Sequence, residues 1–294
     1  MRSVLSMPML KLASVFCVLI LLMTTLQVAT GAVADDAVEG PAYDMDTMWV
    51  PLKQLTISND EAVLPSAAST LSSIHVTWAD VSDEGMELRW KRSDDSGRIF
   101  TADRPISPRF ALIENIQIVC SDDDGIVAVV FSARSTADGD AAIHIVASAD
   151  GGANWTQAHS VAPGRQAAVS LFNGSIYLGV FSSTGGMSVF SIIQLDVDGT
   201  SLTASGTLLS MQAPESMVKM LGGPGGIDFS LALGPGPRHI IYGRVGYDST
   251  LTVQPTAVWT VSGVISDMEL GTINGCLSMM IGANDGTSFS LMHG

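Results

Sequence analysis

Two eight-residue segments constrain this chain more than anything else in it. They are Ser93-Asp94-Asp95-Ser96-Gly97-Arg98-Ile99-Phe100 and Ser148-Ala149-Asp150-Gly151-Gly152-Ala153-Asn154-Trp155. Both fit one template: Ser, any, Asp, any, Gly, any, any, aromatic. Each follows a run that reads as a strand, and Asp95 and Asp150 lie 55 residues apart. A short Asp side chain accepts hydrogen bonds from backbone N–H groups just ahead of it, which closes a tight turn. Gly97 and Gly152 supply the positive φ that other residues resist. Phe100 and Trp155 are expected to start the next strand and to tuck between neighbouring sheets.

The rest of the chain repeats the same punctuation. Short strands alternate with Gly, Asp and Ser clusters, and no segment shows sustained helical periodicity. One unit holds Ile74–Trp78, Met86–Trp90 and the first template turn. A second holds Ile116–Cys120, Ile126–Phe131, Ile143–Ala147 and the second turn. A third holds Ala168–Phe172, Ile176–Phe181 and Met187–Leu195. It ends on Asp196-Val197-Asp198-Gly199-Thr200, a decayed turn without the Ser and the aromatic. A fourth holds Ile227–Leu233, His239–Val245 and Ala257–Val261, and residues 264–294 begin a fifth. Gly222-Gly223-Pro224-Gly225-Gly226 reads as a loop between units. A repeat of about 45 to 55 residues suits a four-stranded propeller blade.

The paired turns resemble the Asp box, or BNR repeat, of the sialidase (neuraminidase) superfamily. That resemblance implies an all-β, sialidase-type β-propeller of about five to six four-stranded blades, the ring being either reduced or incomplete. The Asp box itself is a structural turn: Ser93, Asp95, Gly97 and Phe100 in one copy, Ser148, Asp150, Gly152 and Trp155 in the other.

Residues 1–34 read as a signal peptide. Arg2 and Lys11 are its positive region, Leu12–Val28 its apolar run, and Ala32-Val33-Ala34 its cleavage site. Residues 35–72 read as a lead-in or partial first blade, and 73–294 as the propeller. The expected location is secreted or cell-surface, with a membrane partner only if the leader is retained as an anchor. A formal net charge of −15 excludes nucleic acid as a partner. Beyond the leader, Cys120 and Cys276 either pair in an oxidising compartment or stay as two buried thiols. Asn154-Trp155-Thr156 and Asn173-Gly174-Ser175 are N-glycosylation sequons. His75 and His144 fall at equivalent places in two strands, and no spacing suggests a metal site. No cofactor is expected.

The resemblance also says what a catalytic site would need. Sialidases clamp the substrate carboxylate with three arginines, because a guanidinium pairs bidentately with a planar anion. A tyrosine activated by a glutamate is the nucleophile, and a loop aspartate is the acid–base. Carried onto this chain, Arg109 in Pro108-Arg109-Phe110-Ala111-Leu112-Ile113 and Arg134 in Phe131-Ser132-Ala133-Arg134 are clamp candidates. Asp138 or Asp140 is the acid, Tyr242 the nucleophile with Glu215 upstream, and Arg244 or Arg238 a further clamp. Tyr242 and Arg244 are two apart, so they share a strand face. The departures are specific: Arg109 lacks the following Ile-Pro, and a complete Asp box precedes it.

Two functions follow. One is an exo-glycosidase acting on sialylated glycans. The other is a catalytically inactive propeller that binds sialylated or other glycans and glycoproteins as an adhesion module. An assembly-factor propeller is a third reading that no particular residue supports.

Overall fold

The computed structural model describes residues 55–56 and 61–293, apart from 122, 185–186, 215, 234–237, 262–263, 274–275 and 285–288. The leader and most of the lead-in lie outside the described residues. Five antiparallel sheets follow one another in sequence. Blade one is β1 (Glu61–Ser69), β2 (Ile74–Ser82), β3 (Gly85–Ser93) and β4 (Arg104–Pro105). Blade two is β5 (Leu112–Cys120), β6 (Val127–Arg134), β7 (Ala142–Ser148) and β8 (His159–Pro163). Blade three is β9 (Ala167–Phe172), β10 (Ser175–Thr184), β11 (Met187–Asp198) and β12 (Ser201–Gln212). Blade four is β13 (Met217–Gly223), β14 (Gly226–Leu233), β15 (Arg238–Val245) and β16 (Leu251–Val261). The fifth sheet is β17 (Val264–Ile273), β18 (Cys276–Asn284) and β19 (Phe289–His293).

The first strand of each sheet touches the first strand of the next, β1 to β5 to β9 to β13 to β17. This is the inner wall of a propeller. The apolar clusters sit between sheets, one per junction: blades one and two, two and three, three and four, four and five. Each inner sheet is therefore buried on both faces, which explains its continuous apolar runs. In β6, Val127, Val129, Phe131 and Ala133 join the cluster against blade one, while Ala128 and Val130 join the cluster against blade three. The period of two divides one hydrophobic run between two cores. Each fully buried large side chain, such as Phe131 or Phe229, contributes about 1.5–3 kcal/mol.

Three local expectations are corrected. The Gly222–Gly226 segment is a hairpin inside blade four, joining β13 to β14, and not a loop between blades. Phe100 and Trp155 do not begin strands; each precedes the next strand by four residues. His75 lies on the second strand of its blade and His144 on the third strand of its own, so their places are not equivalent. Of the lead-in, Leu55 lends its carbonyl to Lys91 Nζ at 2.6 Å, and β1 supplies the innermost strand of blade one.

The two template turns fold alike. Ser93 Oγ donates to Asp95 Oδ1 at 2.7 Å and accepts from Gly97 N at 2.9 Å; Ile99 N donates to Asp95 Oδ1 at 2.8 Å. In the second copy Ser148 Oγ donates to Asp150 at 2.7 Å, Gly152 N to Ser148 Oγ at 2.8 Å, and Asn154 N to Asp150 at 2.7 Å. Ser96 and Gly97 both have positive φ, as do Gly151 and Gly152. The decayed turn of blade three is a plain hairpin with Gly199 at φ 57. Blade four carries a turn that the template misses. There Asp248 accepts from Thr250 N at 3.1 Å, Ser249 has φ 67, and Tyr247 stacks on Phe172 of blade three at 5.1 Å.

Candidate functional site

The N-terminal ends of the first strands surround a cavity of about 650 Å³ on the propeller axis. Because these strands run the same way, what lines the cavity is fixed by the opening residues of each blade. Blade one supplies Val63 and Leu64 from β1 and Met86 from β3; β5 supplies Glu114, Asn115 and Gln117. Arg165 and Gln166 come from the loop before β9, and Lys219 from β13.

An acid links two arginines here. Arg134 Nη2 donates to Glu114 Oε1 at 2.8 Å, and Arg165 Nε lies 3.6 Å from Glu114 Oε2. Lys219 Nζ pairs with Glu269 at 2.8 Å. Three cations thus meet two carboxylates in a protein whose overall charge is strongly negative. Beneath the cavity, Ser132 Oγ and Arg134 Nε are buried with no hydrogen-bond partner among the described residues. Ser132 shares a narrow crevice with Asn115, Gln117 and Arg165. Polar capacity is therefore concentrated on the side of blades two and three.

The residues singled out by sequence do not gather at one place. Arg134 ends β6 opposite Leu112, at the cavity end, and reaches Glu114. Asp138 lies exposed on the β6–β7 loop at that same end, with Asp140. Arg109, on the β4–β5 connection, turns back to blade one. Its Nη1 donates to Ser82 Oγ at 2.7 Å and to Glu84 at 2.8 Å, and Nε lies 3.4 Å from Glu87. It does not line the cavity.

Tyr242 and Arg244 stand on β15, two strands outward from the inner strand β13; across β14, Tyr242 is level with Lys219 and Arg244 with Leu221. Both contact Asp228, which pairs with Arg244 across β14 and β15. Arg244 holds Asp228 bidentately, Nε at 2.7 Å and Nη2 at 3.0 Å, and Tyr242 Oη donates to Asp228 Oδ1. Burial first, then the hydrogen bond and charge of Asp228, push the Tyr242 phenol up to about 12. That is the opposite of what a tyrosine nucleophile needs. Glu215 and the Arg238 side chain lie outside the described residues. Tyr177 and Tyr247 pack against each other between blades three and four, and no tyrosine is among the described lining residues.

Arg165, Glu114 and Lys219 carried no sequence signal, because only the stacking of blades two, three and four brings them together. No cluster of His, Cys, Asp and Glu among the described residues could hold a metal ion.

No family model matches this chain, and no curated protein does. Solved structures do. A Trypanosoma rangeli sialidase in complex with 2,3-difluorosialic acid superposes with a TM-score of 0.54 at 12% identity, over 80% of this chain and 46% of that one. A Hadza microbial sialidase superposes with a TM-score of 0.50 at 16% identity, over 76% of this chain and 50% of that one. The chain spans about half the length of these structures. At such identities the likeness is one of fold: the chain is an all-β propeller of sialidase type.

Proposed function

We propose that this propeller binds glycans in its axial cavity without hydrolysing them. The observation that carries the reading is the separation of parts. Arg165, Lys219, Asn115, Gln117 and Gln166 line the cavity and Arg134 reaches it through Glu114, whereas Tyr242, protonated and tied to Asp228, stands two strands outward from the inner strand of its blade and does not line it. Amides and guanidinium groups beside an apolar wall suit a sugar, which presents hydroxyls on its edges and C–H groups on its faces. A binding site needs that constellation; a sialidase needs a nucleophile beside it as well.

The test pairs a glycan array with a fluorogenic sialoside, both presented to the secreted chain. Binding without turnover is the expected result, with Arg165→Ala weakening the best ligand about tenfold or more. Turnover above the buffer rate would restore the hydrolase reading, with Asp138 as its acid, and would require a nucleophile other than Tyr242. A folded chain that bound no glycan would end both readings.

A further inference from the structure

Leu64 breaks the local rule of its own strand. In β1, Val63 pairs with Ala79 and Ser66 with Thr77, so Leu64 and Pro65 together face Trp78. This is a bulge, and its first residue has φ 54. Bulges that put their first residue in the left-handed region normally use glycine there. Leucine resists that region, and the proline after it narrows the choice further. Such residues persist only where the surroundings enforce them, and they cluster at ligand sites.

Two observations set this one at the cavity. Leu64 lines the axial cavity. It is also one of three large apolar side chains exposed among the described residues, at 36%. The wall that blade one gives the cavity (Val63, Leu64, Met86) is wholly apolar, whereas blades two and three mix the polar Glu114, Asn115, Gln117, Arg165 and Gln166 with Leu112, Ile113 and Ala167.

We infer that Leu64 is a specificity-determining residue of the cavity. The bulge holds its side chain exposed so that it contacts a compact apolar substituent, an acyl or alkyl group, on a sugar whose hydroxyls meet Asn115, Gln117 and Arg165. This rests on the glycan-binding reading. An unsubstituted sugar leaves Leu64 in water, while a substituent of a few carbons covers it. Covering the 36% of Leu64 that is exposed is worth about threefold in affinity.

Two variants separate the strain from the contact. Leu64→Gly removes the side chain and relieves the left-handed φ; Leu64→Ala removes the side chain and keeps the strain. Each is compared with wild type for melting temperature and for affinity toward paired methyl glycosides: N-acetylglucosamine against glucose, N-acetylneuraminic acid against its hydroxyl analogue, and an O-methylated hexose against the free one. Wild type should prefer the substituted member of at least one pair by about threefold. The pair that shows the preference distinguishes an acyl from an alkyl group. Both variants should lose that preference, and Leu64→Gly should melt no lower than wild type.

A Leu64→Gly variant that melts lower and keeps the preference would make the bulge purely structural and overturn the assignment. Equal losses for substituted and plain sugars would do the same. Wild type binding plain and substituted sugars alike sinks this inference alone; wild type binding no sugar sinks the glycan reading with it.

Discussion

Trp90 stands where a side chain on Gly152 would have to go: a methyl group there would lie 2.4 Å from Cζ2 of the indole. The neighbouring Gly151 is in the same position against Arg92, 2.4 Å from Nη1. Arg92 Nη1 also donates to the Gly151 carbonyl at 2.9 Å, and Arg104 donates to the Ala153 carbonyl at 3.0 Å while its guanidinium lies 4.9 Å from the centre of the Trp90 ring. Trp155 closes the contact edge-on to Trp90 at 5.5 Å. The second template turn is thus the surface by which blade two docks on blade one. Its glycine is needed twice, for φ 88 and for room.

That double need is measurable. Gly152→Ala should lose about 3 kcal/mol in urea unfolding, because overpacking adds to left-handed strain. Gly199→Ala, at φ 57 with nothing within 4 Å, should lose only about 1 kcal/mol. Equal losses would mean that φ alone, and not Trp90, fixes the residue.

The same contrast explains what the sequence made legible. Template turns are local: Ser, Asp and Gly bond within five residues of one another, so the pattern survives as a string. The buried strands were readable because both faces of each inner sheet are apolar. By contrast, β13 reads Met-Val-Lys-Met-Leu-Gly-Gly, and its glycines pointed to a loop although they continue a strand. Tyr242 and Arg244 share a face, as their spacing requires, yet their partner Asp228 follows from the cross-strand register of β14 and β15. Glu114 and Arg165 stand 51 residues apart and meet only because blades two and three abut. Cross-strand register and blade stacking leave no mark on local spacing.

Asp150 links the docking turn to pH. Desolvation pushes its carboxyl up, but hydrogen bonds from the Asn154 backbone and side chain and from Ser148 outweigh it and hold the group below its usual range. A depressed carboxyl stabilises the fold above its unfolded value, about 3.9, and that contribution is lost as pH falls below it. Wild type should therefore lose stability relative to Asp150→Asn as pH drops below about 4, narrowing the gap seen at pH 7. A gap that stays constant with pH would show that Asp150 acts through shape alone.

Three tyrosines should resist alkali. Burial, then Asp228, puts Tyr242 at about 12; burial first also raises Tyr177 and Tyr247. A raised phenol contributes stability that is whole below its unfolded value, about 10, and is lost as pH climbs through the folded one. Tyrosinate absorbance of the folded chain at about pH 11 should stay well below that of the chain in denaturant, where all four tyrosines of the sequence ionise. Titration of Tyr242 near 10 would show the Asp228 contact to be open in solution, and would return that residue to contention as a nucleophile.

The two sequons should behave differently when the chain is made through a glycosylating secretory route. Asn173 is exposed at the tip of the β9–β10 hairpin, φ 50, followed by Gly174 at φ 78. Its side chain makes no hydrogen bond to any described residue, so a glycan there leaves the fold intact. Asn154 Nδ2 instead donates to Asp150 Oδ2 at 2.7 Å, and Thr156 is buried with its Oγ1 accepting from Ala147 N at 3.0 Å. A glycan on Asn154 would have to share that amide with the docking turn. Intact mass should show one glycan, lost in Asn173→Gln and kept in Asn154→Gln. The hairpin tip lies at the C-terminal end of β9, away from the cavity, so the glycosylated chain should bind its ligand as well as the bare one does. A glycan on Asn154 in a chain of unchanged stability would show that its bond to Asp150 is dispensable and that Ser148 and the backbone hold the turn unaided.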